Sequence, residues 1–488
     1  MEGHLTQQSS VVLVAGMHRS GTSMVGGTLV KLGVDMGQRL IPADSANQRG
    51  YFEDADIVAF HGQVFRSLMP AGAVGHVDWG WAENGLLDNE RLIDYREQAQ
   101  ALVKQRVRKG GIWGFKDPRT TVILDFWDDC IDDARFVLVY RYPWEVADSM
   151  LRGGADVFLN NPAYAYRIWT FYNTRLLKFY ERNKHRCLLV SSNALPHNFE
   201  AFVQLFGSKL LVQHTSADLV DVFDARLFTG AEQVEILADL TAVAYPECFE
   251  LLERLDDRAD LPSDGGWRGD GVRQTEFERP DVPAEVDLSI IVPTHNDGAY
   301  LIDALASAER CRLPKTELVI VDDGSSDATT LGILAALGKR GYYVLEKPNG
   351  GLSSARNAAI AEARGSYILP LDADNRLRPH FVKAAVELLD QEPGVSVVYG
   401  DRQLFGASTE LILVPDYDLS KMLGGNYVDA CALFRRILWE KVGGYDEEMR
   451  GFEDWEFWIR AGSCGWRFRH LSMPALDYRV RPDSLVEQ

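Results

Sequence analysis

Short apolar runs alternate with amphipathic stretches in both halves of the 488-residue chain. In the C-terminal half, the runs at 288–293 and 316–321 and the run at 367–371 each end in a polar cluster. Apolar strands that alternate with helices predict a parallel α/β sheet, and such sheets bind ligands at the carboxyl ends of their strands. All the polar clusters fall at those ends.

The N-terminal half has the same pattern. Residues 9–16 (SSVVLVAG), 135–140 (RFVLVY) and 187–191 predict buried strands, and each is followed by a loop and a helix. Residues 252–287 lose this periodicity and gain glycine, proline and charge, as linkers do. The pattern predicts two α/β domains, at 1–259 and 287–488, joined by a linker at 260–286.

Composition and charge narrow the function classes. The net charge is −20, which disfavours a nucleic-acid partner, although local basic sites for phosphates remain open. Six scattered cysteines form no CxxC pair, as expected in a reducing cytosol. No run approaches 18 apolar residues, so we expect a cytoplasmic protein without a transmembrane helix, and peripheral membrane contact stays open.

Asp372 and Asp374 follow the apolar run at 367–371. Side chains alternate along an extended chain, so these two carboxylates point to the same side. Mg²⁺ and Mn²⁺ prefer oxygen ligands, often one or two carboxylates plus a substrate phosphate. The pair is a candidate metal site, although an acidic turn alone would give the same sequence.

Five motifs in order accompany this pair: PTHN, VDDGS, NGGLSSARN, DAD and GGYDEEMRGFEDWEFWIRAG. Over 288–480 they resemble family 2 glycosyltransferases of the GT-A fold. The resemblance implies metal-dependent transfer of a sugar from a nucleotide-sugar to a glycan or lipid-linked acceptor. It also implies a set of donor-binding residues: Pro293, Thr294, Asn296, Asp322, Asp323, Gly351, Arg356 and Asp372.

Within that set, the resemblance implies that Asp322 or Asp323 hydrogen-bonds the nucleobase, which uracil and guanine would both allow. Arg356 is expected to approach the base or a phosphate. Asp374 is expected to bind Mg²⁺ or Mn²⁺, with Asp372 on the ribose or the metal. A histidine that often serves as a metal ligand in the family is missing from 476–484.

The last motif implies the catalytic base. By the resemblance, Asp454 deprotonates the acceptor hydroxyl and Glu453 is second. One carboxylate base without a covalent partner implies an inverting single displacement. An acidic pair at a helix start is also what the helix dipole alone would favour.

In the N-terminal half, MHRSGTS (17–23) lies between a strand and a helix, which makes an anion site. The loop nearly fits the P-loop pattern, but Thr22 replaces its lysine. It resembles the 5′-phosphosulfate loop of sulfotransferases, and Arg141 with Ser149 matches their 3′-phosphate pair. This resemblance to a P-loop sulfotransferase covers 10–250 and implies 3′-phosphoadenosine 5′-phosphosulfate as donor, held by Arg19, Ser20, Gly21, Thr22, Ser23, Arg141 and Ser149.

The catalytic residues of this half depart from the family pattern. GFKDPRT (114–120) lacks the histidine of the usual K-x-H element, and the later Arg-Lys-Gly element is not found. An acceptor hydroxyl still needs a base, and the candidates are Glu53 and His61. We favour Glu53, with Lys116 stabilising the bridging oxygen. A solvated carboxylate and a local ion pair of Lys116 with Asp117 are the alternatives.

The sequence therefore predicts a bifunctional transferase that builds and sulfates a polysaccharide. One alternative is a glycosyltransferase whose sulfotransferase-like domain is an inactive binding or scaffold module. Another is a P-loop kinase fused to the glycosyltransferase, which Thr22 disfavours.

Overall fold

The computed structural model describes residues 10–43, 50–70, 72–83, 87–106, 111–152, 156–210, 236–265, 267 and 285–481. These residues form two compact units. The first contains the described residues within Met1–Val157, Ala163–Ala231 and Pro246–Gly269. The second contains those within Phe158–Pro162, Glu232–Tyr245 and Asp270–Gln488.

The first unit contains a parallel sheet. Its described strands are β1 (Ser10–Gly16), β2 (Gly75–His76), β3 (Trp81–Ala82), β4 (Ile112–Lys116), β5 (Ala134–Tyr140) and β6 (Cys187–Ser191). Four of them form a sheet in the order β4-β1-β5-β6, with every pair parallel, while β2 and β3 form a separate antiparallel pair. The central strands are buried, as their valine-rich and leucine-rich sequences predict.

Helices surround this sheet. The described helices of the unit are Thr22–Lys31, Ala55–Leu68, Arg96–Arg106, Leu124–Cys130, Pro143–Arg152, Ala163–Asn183, Phe199–Lys209 and Pro246–Asp256. Short 3₁₀ helices lie at Val77–Trp79, Asn89–Tyr95, Pro118–Ile123 and Lys184–Arg186. A further short helix, Asp156–Asn160, is divided between the two units after Val157. Helix Ala55–Leu68 begins where it does because the Asp54 carboxylate accepts the N–H groups of Asp56 and Ile57.

Part of the predicted linker packs on the first unit. Leu261 pairs with Val190 as an isolated bridge beside β6. Trp267 donates its indole N–H to the buried carboxylate of Asp256 (3.0 Å), which also accepts from Ser263. The division of the chain therefore assigns the start of 260–286 to the first unit, and 268–284 lie outside the described residues.

The second unit is built on a mixed sheet. Its described strands are β7 (Leu288–Thr294), β8 (Thr316–Asp323), β9 (Tyr343–Lys347), β10 (Tyr367–Pro370), β11 (Arg376–Leu377), β12 (Val397–Gly406), β13 (Leu411–Ile412), β14 (Leu433–Arg435) and β15 (Phe468–Val480). Within the described part, the strand order is β11-β15-β12-β14-β10-β7-β8-β9, and β13 pairs with β12.

Four of the nine described strands form the parallel sheet that the sequence predicts, and β12 also runs parallel to β15. Strands β7 to β10 run parallel, whereas β14 is antiparallel to both β10 and β12. The described helices are Ile236–Ala244, Gly298–Arg310, Ala328–Lys339, Leu352–Glu362, Pro379–Gln391, Leu419–Met422, Arg436–Val442 and Glu453–Ser463. None of the helices in the described ranges of the chain has the length and apolar character needed to cross a bilayer.

Candidate functional sites

The polar clusters of the second unit meet at one edge of its sheet. Thr294 at the end of β7 lies opposite Asp322 in the parallel strand β8. The segment Asp372–Asp374 follows β10, which pairs with β7 on its other side. The carboxyl ends of these parallel strands thus bring the predicted donor-binding motifs together, where sheets of this kind bind ligands.

The two aspartates that end β8 have different partners. Asp323 accepts the N–H groups of Gly350 (2.9 Å) and Gly351 (2.8 Å), and its Oδ1 lies 2.5 Å from Lys347 Nζ. Among the described residues, Asp322 bonds through Oδ1 alone, which accepts the N–H of Ser325 (2.9 Å). Asp323 therefore fixes the glycine turn, whereas the second carboxylate oxygen of Asp322 has no partner among the described residues.

The turn after β7 is fixed by an asparagine. Asn296 adopts a left-handed conformation (φ 59°), and its Oδ1 accepts the N–H groups of Ser326 (2.8 Å) and Asp327 (2.9 Å). These bonds tie the loop after β7 to the loop after β8. Pro293 is buried in β7, and the buried Thr294 Oγ1 has no hydrogen-bond partner in the part of the chain that the structure describes.

Arg356 connects the DAD segment to the last motif. Its guanidinium lies between two carboxylates, with Nη2 2.6 Å from Asp372 Oδ1 and Nη1 2.6 Å from Glu453 Oε1. Burial alone would lower the pKa of Arg356, but Asp372, Tyr445 and Glu453 raise it well above its ordinary value. Arg356 therefore stays charged and holds two motifs in place, instead of extending towards a base or phosphate.

Asp374, one of the two predicted metal ligands, has a raised pKa. Burial and the neighbouring charge of Asp372 raise its pKa to about 6, although Arg481 lies 3.3 Å from its Oδ2. A cation bound here would further neutralise two neighbouring carboxylates, and their oxygen atoms are ligands that fit Mg²⁺ or Mn²⁺. The described residues contain no group of three or more histidine, cysteine, aspartate or glutamate side chains that could hold a metal ion.

Asp454 lies in the first turn of helix Glu453–Ser463, and its hydrogen-bond partner differs from that of the adjacent Glu453. Glu453 is engaged by Arg356, whereas among the described residues Asp454 Oδ2 accepts a single hydrogen bond, from the neutral amide of Asn426 (Nδ2, 3.0 Å). Burial raises the pKa of Asp454 to about 6, opposed by Arg356 and aided by Asp429 and Glu453. A carboxyl group with this pKa is a suitable proton acceptor at neutral pH.

Several residues of the site carry no signal in the sequence motifs. Asn426 and Asp429 lie in a stretch without a motif, and Asp297 and Arg481 meet across the site (3.3 Å) although 184 positions separate them. Lys347 lies two residues before Asn349 of the NGG turn, so the sequence could have indicated it. The others are recognised only because the fold brings them beside Asp374 or Asp454.

In the first unit, the loop after β1 joins two predicted donor-binding elements. Arg19 Nε donates to Ser149 Oγ (2.8 Å), and Arg141 Nη1 donates to the carbonyl of Arg19 (3.3 Å). Gly21 has a left-handed φ of 84°, and a methyl group on it would approach Ser192. The hydroxyl groups of Ser20 and Ser192 are buried without hydrogen-bond partners in the described parts of the chain.

Glu53 and Lys116 lie beside the start of helix Thr22–Lys31, which follows this loop. Lys116 Nζ is 2.5 Å from Glu53 Oε1 and donates to Ser23 Oγ (3.1 Å), next to the buried Thr22. Burial raises the pKa of Glu53, although Lys116 opposes the shift. The predicted base and the predicted oxygen-stabilising residue therefore form one buried ion pair beside the loop.

The structure contradicts the prediction of His61 as the alternative base. The indole of Trp127 donates to His61 Nε2 (2.8 Å), so Nδ1 carries the proton and donates to Asp117 (2.8 Å). The side chain is fully buried, and burial lowers its pKa. Both nitrogens are occupied, and His61 instead holds Asp117, which in turn binds Arg119 through two nitrogens.

Comparisons with known proteins agree with the geometry of the second unit. Residues 289–468 match the family model described as "Glycosyl transferase family 2". An uncharacterized protein y4gI from Sinorhizobium fredii is 31% identical over 209 residues, which cover 40% of this chain and 23% of that protein. The chondroitin synthase of Pasteurella multocida is 27% identical over 190 residues, 38% of this chain and 20% of that enzyme.

The chain thus spans less than a quarter of the length of these two relatives. Among solved structures, S. aureus TarS 1-349 in complex with UDP-GlcNAc aligns with a TM-score of 0.36 and 23% identity over 41% of this chain and 61% of that one. The region 289–468 carries the family 2 signature. These comparisons support a glycosyltransferase and give no support to a sulfotransferase at 10–250, so they favour the alternative of a glycosyltransferase without sulfotransferase activity.

Proposed function

We propose that the second unit transfers a sugar from a nucleotide-sugar to a hydroxyl group of a glycan or lipid-linked acceptor, with inversion. The observation that carries this proposal is the position of Asp454. It is a largely buried carboxyl with a pKa of about 6, and the Asp372–Arg356–Glu453 ion pairs connect its helix to the donor-binding edge of the sheet. The family match over 289–468 supports the same chemistry.

In this mechanism, Asp454 takes the proton of the acceptor hydroxyl as its oxygen attacks the anomeric carbon. The bond between that carbon and the nucleoside diphosphate breaks, so the sugar is transferred in one step with inversion. Asp322 accepts an N–H of the nucleobase, and Asp323 holds the turn at Gly350 and Gly351. Asp372 and Asp374 would hold Mg²⁺ or Mn²⁺, which neutralises the charge of the diphosphate leaving group.

The acceptor class rests on the relatives. Chondroitin synthase and hyaluronan synthase are named for polysaccharide products. We infer that this chain also extends or modifies a polysaccharide.

The test is turnover with a panel of UDP, GDP, CDP and dTDP sugars, read as release of the nucleoside diphosphate with and without Mn²⁺. Asp454→Asn should lose turnover by a factor of about 10² or more and still bind the nucleoside diphosphate. The control is Glu387→Gln, an exposed carboxylate on helix Pro379–Gln391. Retained turnover in Asp454→Asn would remove Asp454 from this role.

A second candidate function belongs to the first unit. We propose that it binds 3′-phosphoadenosine 5′-phosphosulfate for sulfuryl transfer to a glycan hydroxyl. The hydrogen bond between Arg19 and Ser149 (2.8 Å) and the unpartnered hydroxyls of Ser20 and Ser192 support an anion site at this loop. The ion pair of Glu53 with Lys116 would supply the base and the charge at the bridging oxygen.

This second proposal is tested by binding of adenosine 3′,5′-bisphosphate, measured by calorimetry. Arg19→Ala should weaken binding about tenfold or more, because a charge-assisted phosphate contact is lost. Tight binding of Mg²⁺-ATP instead would support the kinase alternative. Binding of neither would support a scaffold module attached to the glycosyltransferase.

A further inference from the structure

The first unit contains a pocket of about 340 Å³ beside the loop that follows β1. One wall is helix Ala55–Leu68, which contributes Ala59 and its neighbours. The other walls are polar or aromatic: His18, Glu53, Trp79 and Arg119. Of these, only Glu53 takes part in the sulfuryl transfer proposed above, so the pocket needs its own explanation.

His18 is held rigidly at this pocket. Its ring stacks on Trp79, with centroids 3.9 Å apart and planes at 5°, and Trp79 also stacks with His76 (4.2 Å). Burial lowers the pKa of His18 well below its usual range, so the imidazole is neutral. Its Nε2 is buried and has no hydrogen-bond partner within the described residues. Leaving a buried nitrogen without a hydrogen bond is unfavourable, and a ligand group that bonds to it would recover that free energy.

Glu53 and Arg119 offer an acceptor and a donor beside it. The side chain of Glu53 is 15% exposed, and its carboxylate is held by the ion pair with the buried Lys116. The guanidinium of Arg119 is fixed by Asp117 and by the carbonyl of Val58 (3.0 Å). Both groups are thus preorganised, which reduces the entropy cost of binding a ligand.

The charges and surfaces of the pocket indicate the class of ligand. Arg119 and Arg66 are balanced by Glu53 and Asp78, and Arg66 is itself paired with Asp78 (3.0 Å), so an anion would gain little. A nucleobase would need an aromatic surface, and the indole of Trp79 is already engaged with two imidazole rings. Closely spaced acceptors and donors suit a neutral ligand with several hydroxyl groups.

We propose that this pocket binds a sugar residue of a glycan, with His18 Nε2, Glu53 and Arg119 contacting its hydroxyl groups. The site requires only the first unit. If that unit also transfers a sulfuryl group, the glycan in this pocket is its acceptor, because Glu53 belongs to both sites.

The test uses the full chain on an array of immobilised glycans containing the neutral sugars galactose and N-acetylglucosamine, followed by titration of the strongest binder. Ala59→Trp fills the pocket from an exposed helix position and should weaken binding tenfold or more. Gln63→Trp places the same side chain on the same helix, at an exposed residue that does not line the pocket, and should leave binding unchanged.

His18→Phe is the matched variant for the unpaired nitrogen. It keeps a ring to stack on Trp79 and removes Nε2, so it should fold normally and bind the glycan several-fold more weakly. If His18 only packs the loop, the variant would bind as tightly as the wild type, and its assignment would be overturned.

Two results would overturn the site as a whole: no glycan bound by the wild type, or equal affinity of Ala59→Trp and Gln63→Trp. Adenosine 3′,5′-bisphosphate serves to separate the two proposals for this unit. Glycan binding that Ala59→Trp abolishes, in a protein that does not bind the bisphosphate, would support the sugar site and refute the sulfonate-donor site. Bisphosphate binding without glycan binding would do the reverse.

Discussion

At the scale of residues, the candidate glycosyltransferase site depends on how its carboxylates are paired. Glu453 and Asp454 are adjacent in sequence, yet Glu453 is bound to Arg356, whereas Asp454 accepts, among the described residues, from the amide of Asn426. The same contrast separates Asp323, which holds a turn, from Asp322. Roles that the sequence assigns to a pair are thus divided by the partners that the fold supplies.

The pKa of Asp454 gives a direct prediction. The base must be deprotonated, and burial raises its pKa to about 6, so turnover should rise as the pH increases through about 6 and then level off. The measurement is kcat/KM between pH 4.5 and 8.5. A profile with its limb near pH 4 would mean that Asp454 is not the group that titrates, and Glu387→Gln should reproduce the wild-type limb.

Arg356 gives a prediction of stability. Arg356→Met leaves two carboxylates without their cation, and loss of one partner from a buried ion pair costs roughly 3–5 kcal/mol in the free energy of unfolding. Urea denaturation measures this change. Combining Arg356→Met with Glu453→Gln should recover part of the loss, because one unpaired charge is then removed. No recovery would mean that the packing of Arg356 against Tyr445 matters more than its charge.

At the scale of elements, the turn between β9 and helix Leu352–Glu362 positions the donor-binding edge. Lys347 ends β9, Asp323 ends β8, and the carboxylate of Asp323 binds both Lys347 and the N–H groups of the glycine turn. Helix Leu352–Glu362 then carries Arg356 to its two carboxylates. One aspartate therefore fixes the start of the helix on which the rest of the site depends.

Gly351 tests that turn. It has φ 86° and ψ 172°, a conformation that costs a residue with a side chain about 1–3 kcal/mol. A methyl group on Gly351 would meet only Arg450 Nη1, at 3.9 Å, so Gly351→Ala isolates the backbone effect. We expect lower stability in urea and weaker binding of the nucleoside diphosphate.

The matched control is Gly338→Ala in helix Ala328–Lys339, where nothing lies within 4 Å of the added methyl. Removing a glycine from a helix is neutral or stabilising, by up to ~1 kcal/mol. Equal destabilisation by both variants would contradict the role given to the turn at Gly351.

At the scale of the whole molecule, the chain forms two units, each with its own sheet and its own candidate site. The second unit includes helix Ile236–Ala244, where Asp239 forms an ion pair with Arg340, and Trp267 packs in the first unit. The boundary between the units therefore does not follow the order of the sequence.

Hydrogen exchange should show which unit each ligand binds. A ligand at about 100 times its dissociation constant stabilises the state that binds it by ~2.7 kcal/mol. A nucleoside diphosphate with Mn²⁺ should slow exchange at 294–297 and 322–326, and adenosine 3′,5′-bisphosphate should slow it at 16–24. Protection of the second unit by the bisphosphate would contradict its assignment to the loop at Arg19.

Much of the second site could be predicted because its residues lie in local motifs at strand ends. Periodicity places Asp322, Asp372 and Asp374 at strand ends and Asp454 at a helix start, whereas their roles come from the family resemblance and stay predictions. The partners of these residues could not be predicted, because a motif records spacing along the chain and not what lies opposite. Asn426 and Arg481 are examples.

The sequence by itself determined two α/β regions, the apolar strands and the loops that end them, because each depends on the local alternation of apolar and polar residues. The tertiary structure alone decided which charges are neutralised. It pairs Arg356 with Asp372 and Glu453, and it gives Asp454 a hydrogen bond from the neutral amide of Asn426. It also engages both ring nitrogens of His61 in hydrogen bonds. These outcomes depend on burial and on contacts between residues far apart in the chain, which set both the pKa of a group and the cost of leaving it unpaired.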